Sequence, residues 1–252
     1  MNTIELLDRL EILNPTNTFL SDLRRLIVDD DRNSLYRLIA TNKNNNFINA
    51  LRKLESHNDF DSTSLSRGQI YSKQWLISEL EKLKLNLGTV FICAGWYAIL
   101  AYLLFQSNCN IVKIRSFDID SACEFFAETF NKEYVLENWK FKASTLDICD
   151  MKYPLVYKTF RSNGSFLELT DMPDTIINTS CEHIVNFRNW FDAIPINTLV
   201  VLQTNNYFEI AEHVNCSKSL QDFSIITPLQ KVLFEGELEI ENYTRFMRIG
   251  YK

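Results

Sequence analysis

Residues 178–183 hold the side chains best suited to chemistry: Asn178, Ser180, Glu182 and His183 in the run Asn-Thr-Ser-Cys-Glu-His. They follow Thr175-Ile176-Ile177, a short apolar β-branched stretch that reads as a buried strand. Histidine titrates close to neutral pH, so His183 suits a general base for an acceptor that must lose a proton. Glu182 and Asn178 can hold or orient the groups that react. Delivered from the carboxyl end of a strand, all of them would enter the crevice where open α/β sheets hold ligands. The plainer alternative is that Glu182 and His183 only begin the next helix.

A second constellation lies at residues 88–120. Residues 90–94 are a short apolar run that stops at Gly95, and a second run of helical length covers residues 96–105. Residues 111–117 rise again and end in Asp118-Ile119-Asp120. Strand, tight turn, helix, strand and carboxylate is how an α/β domain holds a nucleoside. The glycine lets backbone approach the ligand, and the acid accepts hydrogen bonds from ribose hydroxyls. The pattern names neither the nucleoside nor the reaction.

Other polar groups carry less. Gln203, Asn205, Asn206 and Tyr207 follow the apolar strand of residues 198–203 and suit either an amide or base-edge contact or a polar loop. Glu209 and His213 are four apart on an expected helix, with Cys216 just beyond. That spacing can hold a metal, but no further ligand cluster is visible and no metal is predicted. His57 lies in a polar linker and reads as solvated surface. Arg67, Gln69 and Lys73 either reach a bound carboxylate or sit on a packing helix. No G-x-S-x-G elbow and no G-x-x-x-x-G-K loop is present, which argues against serine hydrolase and P-loop readings.

Composition bounds the rest. Of 252 residues 46% are hydrophobic and 23% charged, which is globular. The net charge is −6, so a surface that grips phosphate throughout is not expected. Residues 1–86 carry 12 basic and 12 acidic residues, so the whole excess of acid lies beyond them. Six cysteines are scattered without a CxxC pair, which indicates neither a zinc knuckle nor a disulfide framework. The longest apolar run, residues 91–105, is too short to span a bilayer. Without a signal pattern at the N-terminus, the expected location is the cytoplasm and no membrane partner is expected.

In chain order, residues 1–68 read as a helical N-terminal region. Its apolar stripes run through residues 4–13, with Thr3 as a plausible cap, then 18–28, a short helix about Leu35, Leu38 and Ile39, and a fourth from Phe47 to Leu54. Residues 69–252 read as the main domain. It opens with a helix at 69–85, then alternates strands and helices, with strands at 139–146, 175–177 and 198–203. Residues 152–171 look loop-like. Alternation of this kind argues for a mostly parallel sheet with helices on both faces.

The order of these signals resembles the class I S-adenosylmethionine-dependent methyltransferases over roughly residues 70–252. The resemblance implies a Rossmann-like seven-stranded sheet ending in an antiparallel hairpin, here residues 231–240 and 244–251. It implies S-adenosylmethionine as cofactor, held by Ala94, Gly95 and Trp96 in the first loop, Asp118 and Ile119 at the ribose, and Asp147 and Ile148 near the adenine. Asn178 would lie where the methyl group is presented, with Glu182 and His183 as catalytic partners. The first loop departs from the family in holding one glycine, with Trp96 and Tyr97 where small residues are usual. The sequence is also similar to uncharacterised bacteriophage proteins described as methyltransferases, which would place it in a host cytoplasm. It is faintly similar to nicotianamine synthase in residues 91–100 and 117–120, which implies aminocarboxypropyl transfer as an alternative. A third alternative is a degenerate binding subunit on the same fold. None of these names the acceptor (small molecule, protein or nucleic acid) or the oligomeric state.

Overall fold

The structure is a computed structural model that describes residues 3–13, 18–28, 46–55, 57–160 and 165–252. The chain divides into two compact units, Met1–Trp75 and Leu76–Lys252. The division falls inside one helix, Arg67–Leu83, and the boundary expected at 68/69 falls at that helix's start.

The first unit contains α1 (Thr3–Leu13), α2 (Thr18–Val28), α3 (Asn46–Glu55) and the start of α4 (Arg67–Leu83). Leu7, Leu10, Leu20, Leu23, Leu51 and Leu54 are buried at helical spacing. Asp8 and Arg24 tie α1 to α2. The helix expected about Leu35 and the breaks at 14–17 and 29–31 lie outside the described residues, as does the Thr3 side chain. His57 is in an exposed turn. Lys73 is buried in α4, its Nζ 2.5 Å from Gln69 Oε1 one turn away, a packing arrangement within the helix. The Arg67 side chain lies outside the described residues.

The second unit is built on a sheet of seven strands: β1 (Asn86–Cys93), β2 (Asn110–Asp118), β3 (Phe141–Thr145), β6 (Thr175–Asn178), β7 (Leu199–Asn205), β8 (Lys231–Ile240) and β9 (Tyr243–Tyr251). A separate hairpin pairs β4 (Leu155–Phe160) with β5 (Phe166–Asp171). The sheet order is β3-β2-β1-β6-β7-β9-β8. Strands β1, β2, β3, β6 and β7 are parallel, and β9 runs antiparallel to both β7 and β8. This is the expected Rossmann-like fold with its closing hairpin. The central strands are continuous apolar runs because helices cover both faces. Val90, Phe91, Ile92 and Cys93 are all at most 1% exposed. The helices are α5 (Ile99–Phe105), α6 (Ala122–Phe130), α7 (Lys132–Leu136), α8 (Phe187–Ala193) and α9 (Leu220–Ile226). Phe187, Trp190 and Phe191 of α8 and Phe223 of α9 join Phe91, Phe117 and Ile176 in one core cluster.

Three expectations need correction. Residues 152–171 are not a loop but contain the β4–β5 hairpin. Among the described residues its strands pair with each other and not with the large sheet, and both faces carry polar residues, so the apolar alternation is weak. The hairpin is anchored by Leu155, buried in the core cluster, and by an ion pair in which Asp171 at the end of β5 meets Arg115 of β2 at 2.8 Å. Next, α5 begins at Ile99 and not at Trp96, because Ala94, Trp96 and Ala98 all adopt positive φ, which a right-handed helix excludes. Last, Glu209 and His213 do not share a helix; residues 206–219 form an irregular, turn-rich loop after β7.

Candidate functional site

In the sheet order, β1 has β2 on one side and β6 on the other, so the direction of winding reverses between β1 and β6. Ligands of open α/β sheets bind above such a switch point, at the carboxyl ends of the strands. Ile92 pairs with Ile177, so the loop after Cys93 and the turn after Asn178 lie side by side there. The two sequence constellations are thereby brought together.

The loop after β1 turns through left-handed backbone at residues that are not glycine. Ala94, Trp96 and Ala98 have φ of 54, 49 and 50°. Left-handed backbone costs a residue with a Cβ roughly 1–2 kcal/mol. The loop is held there by specific bonds. Gly95 N donates to Phe117 O at 2.9 Å, and Ala98 N to Gly95 O at 2.8 Å. Trp96 N donates to Asp118 Oδ2 at 2.7 Å. Asn131, fully buried at the end of α6, donates its Nδ2 to Ala98 O at 3.2 Å. Gly95 itself is required by close approach: a Cβ there would stand 2.1 Å from Ser116 Oγ. Neither Ser116 nor Asn131 drew notice in the sequence, since a serine in a strand and an asparagine after a helix are common.

Asp118 ends β2 half-buried, and its Oδ1 accepts from Asp120 N at 3.1 Å. Burial raises its pKa above the ordinary carboxylate value, and the N–H groups of Asp120, Trp96 and Ile119 offset only part of that. A carboxylate has about four acceptor sites, so Asp118 retains capacity for ligand hydroxyls. Ile119 is 70% exposed beside it. Asp147 caps a short 3-10 turn, Ile148–Asp150, by accepting from Cys149 N at 2.9 Å. Ile148 is buried in the core cluster.

On the other side of the switch point, Asn178 is fully buried at the end of β6. Its Oδ1 accepts from Ser180 N at 2.8 Å, and its Nδ2 has no hydrogen-bond partner among the described residues. Cys181–His183 form a 3-10 turn, so His183 precedes α8 and is not part of it. Glu182 is 2% exposed. Its Oε1 accepts from Asn205 Nδ2 at 2.6 Å and lies 3.4 Å from Arg245 Nη2. Its Oε2 has no partner among the described residues. Arg245 also donates to Thr179 O at 2.8 Å. Two arginines, Arg245 and Arg248, in the largely apolar YTRFMRIGY strand were the available signal for this contact.

The loop after β7 folds over this turn. Asn215 N donates to Glu182 O at 2.9 Å, and Asn215 Nδ2 to Cys181 O at 3.2 Å. His213 is thereby set edge-on to His183, ring centroids 4.6 Å apart. His213 Nδ1 lies 2.6 Å from Tyr207 O, so that nitrogen carries the proton. His183 keeps an exposed face, yet its pKa is lowered, chiefly by desolvation and also by His213 and Arg245, against Glu182 and a hydrogen bond to the Glu212 backbone. The neutral ring, the form that accepts a proton, therefore prevails at neutral pH. Asn205 belongs to this cluster. Gln203 is buried in the sheet against Met247, and Asn206 holds Thr244 N at 2.7 Å. Among the described residues Glu209 and Cys216 do not group with His213; Glu182 and His183 lie beside it instead.

Among the described residues no helix is long and apolar enough to cross a membrane. No family model and no curated protein matches the sequence. Solved structures do. The N-methyltransferase NodS from Bradyrhizobium japonicum, in complex with S-adenosyl-L-homocysteine, matches with a TM-score of 0.52 at 10% identity, over 82% of this chain and 98% of its own. Magnesium protoporphyrin IX methyltransferase from Synechocystis, with bound S-adenosylmethionine, matches with a TM-score of 0.51 at 12% identity, over 80% and 89%. At such identities the likeness is one of fold: this chain carries the Rossmann-like fold of the methyltransferases.

Proposed function

We propose that the chain is an S-adenosylmethionine-dependent methyltransferase, with residues 69–252 as the catalytic domain. The observation that carries this is the left-handed loop of residues 94–98 clamped to Asp118 beside the switch point. Three strained residues held at a strand end are the kind of feature that clusters at ligand sites. The residues fit the cofactor. Asp118 would accept from the ribose hydroxyls with Ile119 beside them, and Asp147 and Ile148 would lie near the adenine. Gly95, with Ala94 and Trp96, would underlie the methionine portion. The partnerless Asn178 Nδ2 suits an acceptor atom of the ligand. When bound, the cofactor supplies an electrophilic methyl group on a sulfonium.

The protein's own part is alignment and proton removal. The acceptor would enter beside residues 178–183. His183, neutral and with an exposed face, takes its proton. Glu182 supports the turn that presents His183, through Asn205 and Asn215. The acceptor itself, whether small molecule, protein or nucleic acid, is left open by this geometry. The chain would act in the cytoplasm, that of a host if it is phage-encoded.

Calorimetry with S-adenosylmethionine tests the reading directly. Binding at micromolar affinity or better supports it, and no binding by the folded protein refutes it. Release of 5′-methylthioadenosine in place of S-adenosylhomocysteine would instead establish aminocarboxypropyl transfer.

A further inference from the structure

We infer that Glu182, His183 and His213 form a binding site for one divalent transition-metal cation. One donor atom from each residue lies within 4.8 Å of those of the other two. A cation at about 2.1 Å from each needs donors roughly 3–3.5 Å apart, a closure within reach of small side-chain rotations. Two histidines and a carboxylate suit zinc, cobalt, manganese or iron, and leave further positions open for water or a substrate oxygen.

Two observations beyond proximity point to a ligand. The first is Glu182 Oε2. It belongs to a side chain only 2% exposed and has no hydrogen-bond partner among the described residues. A buried carboxylate oxygen in that state is costly. Arg245 and Asn205 do not relieve it, since both engage Oε1. The second is the way the His213 ring is pinned. His213 places its Nδ1 proton on the Tyr207 carbonyl at 2.6 Å. His183 stands edge-on to the His213 ring, centroids 4.6 Å apart. Metal-ligating histidines almost always donate one ring N–H to a carbonyl or carboxylate, which fixes the tautomer and frees the other nitrogen. The His213 ring meets that condition, on the loop that Asn215 ties to the Glu182 turn.

The cation goes beyond the methyltransferase reading and bears on it. A cation and a proton would compete for the free nitrogen of His183. With the cation bound, the proton-removing role would pass to the metal, which lowers the pKa of an oxygen bound to it. That suits an acceptor bearing a hydroxyl.

The test uses the full chain, stripped of metal and without S-adenosylmethionine. Co2+ is titrated with visible absorption as readout, and Zn2+ by calorimetry. One equivalent should bind, with the absorption of a nitrogen- and oxygen-ligated Co2+. His183→Ala and His213→Ala should each weaken binding by more than about a hundredfold, beyond the losses typical of outer-shell changes. Glu182→Gln, with folding confirmed by circular dichroism, should do the same. Cys216→Ser should leave affinity unchanged. Binding weaker than about 1 mM, or binding indifferent to both histidine variants, overturns the site. A loss in Cys216→Ser as large as that in His213→Ala overturns this ligand set. Because no S-adenosylmethionine is present, failure here leaves the cofactor reading standing, and failure of that reading leaves this one.

Discussion

Two buried carboxylates of the second unit, one on the separate β4–β5 hairpin and one in the turn after β6, have opposite fates. Asp171, at the end of β5, is 5% exposed and fully served. Its Oδ1 pairs with Lys113, and its Oδ2 accepts from Arg115 Nε at 2.8 Å and Tyr157 OH at 2.7 Å. Arg115 is in turn satisfied by Ile114 O and Trp139 O. Burial pushes the Asp171 carboxyl up, but Lys113, Tyr157 and Arg115 outweigh it and hold its pKa below the ordinary value. Glu182, at the strand-end crevice, has one oxygen shared between two donors and one with none among the described residues. Arg245 Nε and Asn178 Nδ2 are likewise without partners among those residues. A completed network fastens a hairpin to a sheet. The Glu182 network leaves polar atoms that a ligand at the proposed site would serve.

That contrast can be broken by experiment. The largest expected effect is on turnover. His183→Ala should lower methyl transfer by about 10²–10⁴-fold if His183 is the base, while leaving S-adenosylmethionine affinity as it was. Equal losses in binding and turnover would make His183 structural. No loss in either would move the chemistry toward Asn205 or Tyr207.

Next is stability at the other carboxylate. Asp171→Ala leaves Arg115 and Lys113 facing an empty position, and removing one member of a buried pair costs about 3–5 kcal/mol. Denaturant titration should read this as a lowered midpoint. Glu182→Gln should cost less, about 0.5–1.5 kcal/mol, because glutamine keeps an oxygen for Asn205 Nδ2 and Arg245 Nη2 and the oxygen it replaces has no partner among the described residues. If the two cost the same, the comparison between them fails. The pH dependence should follow. Since the Asp171 pKa is lowered in the folded state, its contribution is present above its unfolded pKa and is lost as pH falls through the folded value. Acid unfolding of Asp171→Asn should therefore lack that component.

Asp118→Ala should weaken S-adenosylmethionine by about tenfold or more, the loss of charge-assisted bonds worth roughly 1.5–3 kcal/mol. Asp118→Asn should lose less, since an amide oxygen can still accept from Trp96 N. Equal affinity in all three folded proteins would remove Asp118 from the cofactor site.

The smallest effect is expected at the strained loop. Ala94→Gly relieves a left-handed residue but adds chain entropy on unfolding, two opposing contributions of about 1 kcal/mol each. Its melting temperature should stay near that of the parent, with cofactor binding intact. A large loss would mean that the Ala94 methyl packs against something the loop needs.

Much of the fold was legible because burial writes itself into sequence. Thr175–Asn178 and Leu199–Asn205 are buried on both faces and read as apolar runs. The closing pair, Lys231–Ile240 and Tyr243–Tyr251, was equally plain. The β4–β5 hairpin was not, since an ionic anchor 56 residues away in sequence leaves no periodic trace.

At the site, residue types alone pointed to Gly95, Asp118, Asn178, Glu182 and His183, because local chemistry and strand-end position are properties of the chain. Which of them meet was decided by tertiary structure. Sequence spacing suggested grouping Glu209 with His213 on a helix. The loop after β7 instead carries His213 across to His183, held by two bonds from Asn215. The single glycine in the first loop looked like a missing cradle. The fold supplies that conformation through Ala94, Trp96 and Ala98, held in left-handed backbone by Phe117, Asp118 and Asn131. Strain of that kind is set by the surroundings and not by the residue, so no reading of residue types reaches it.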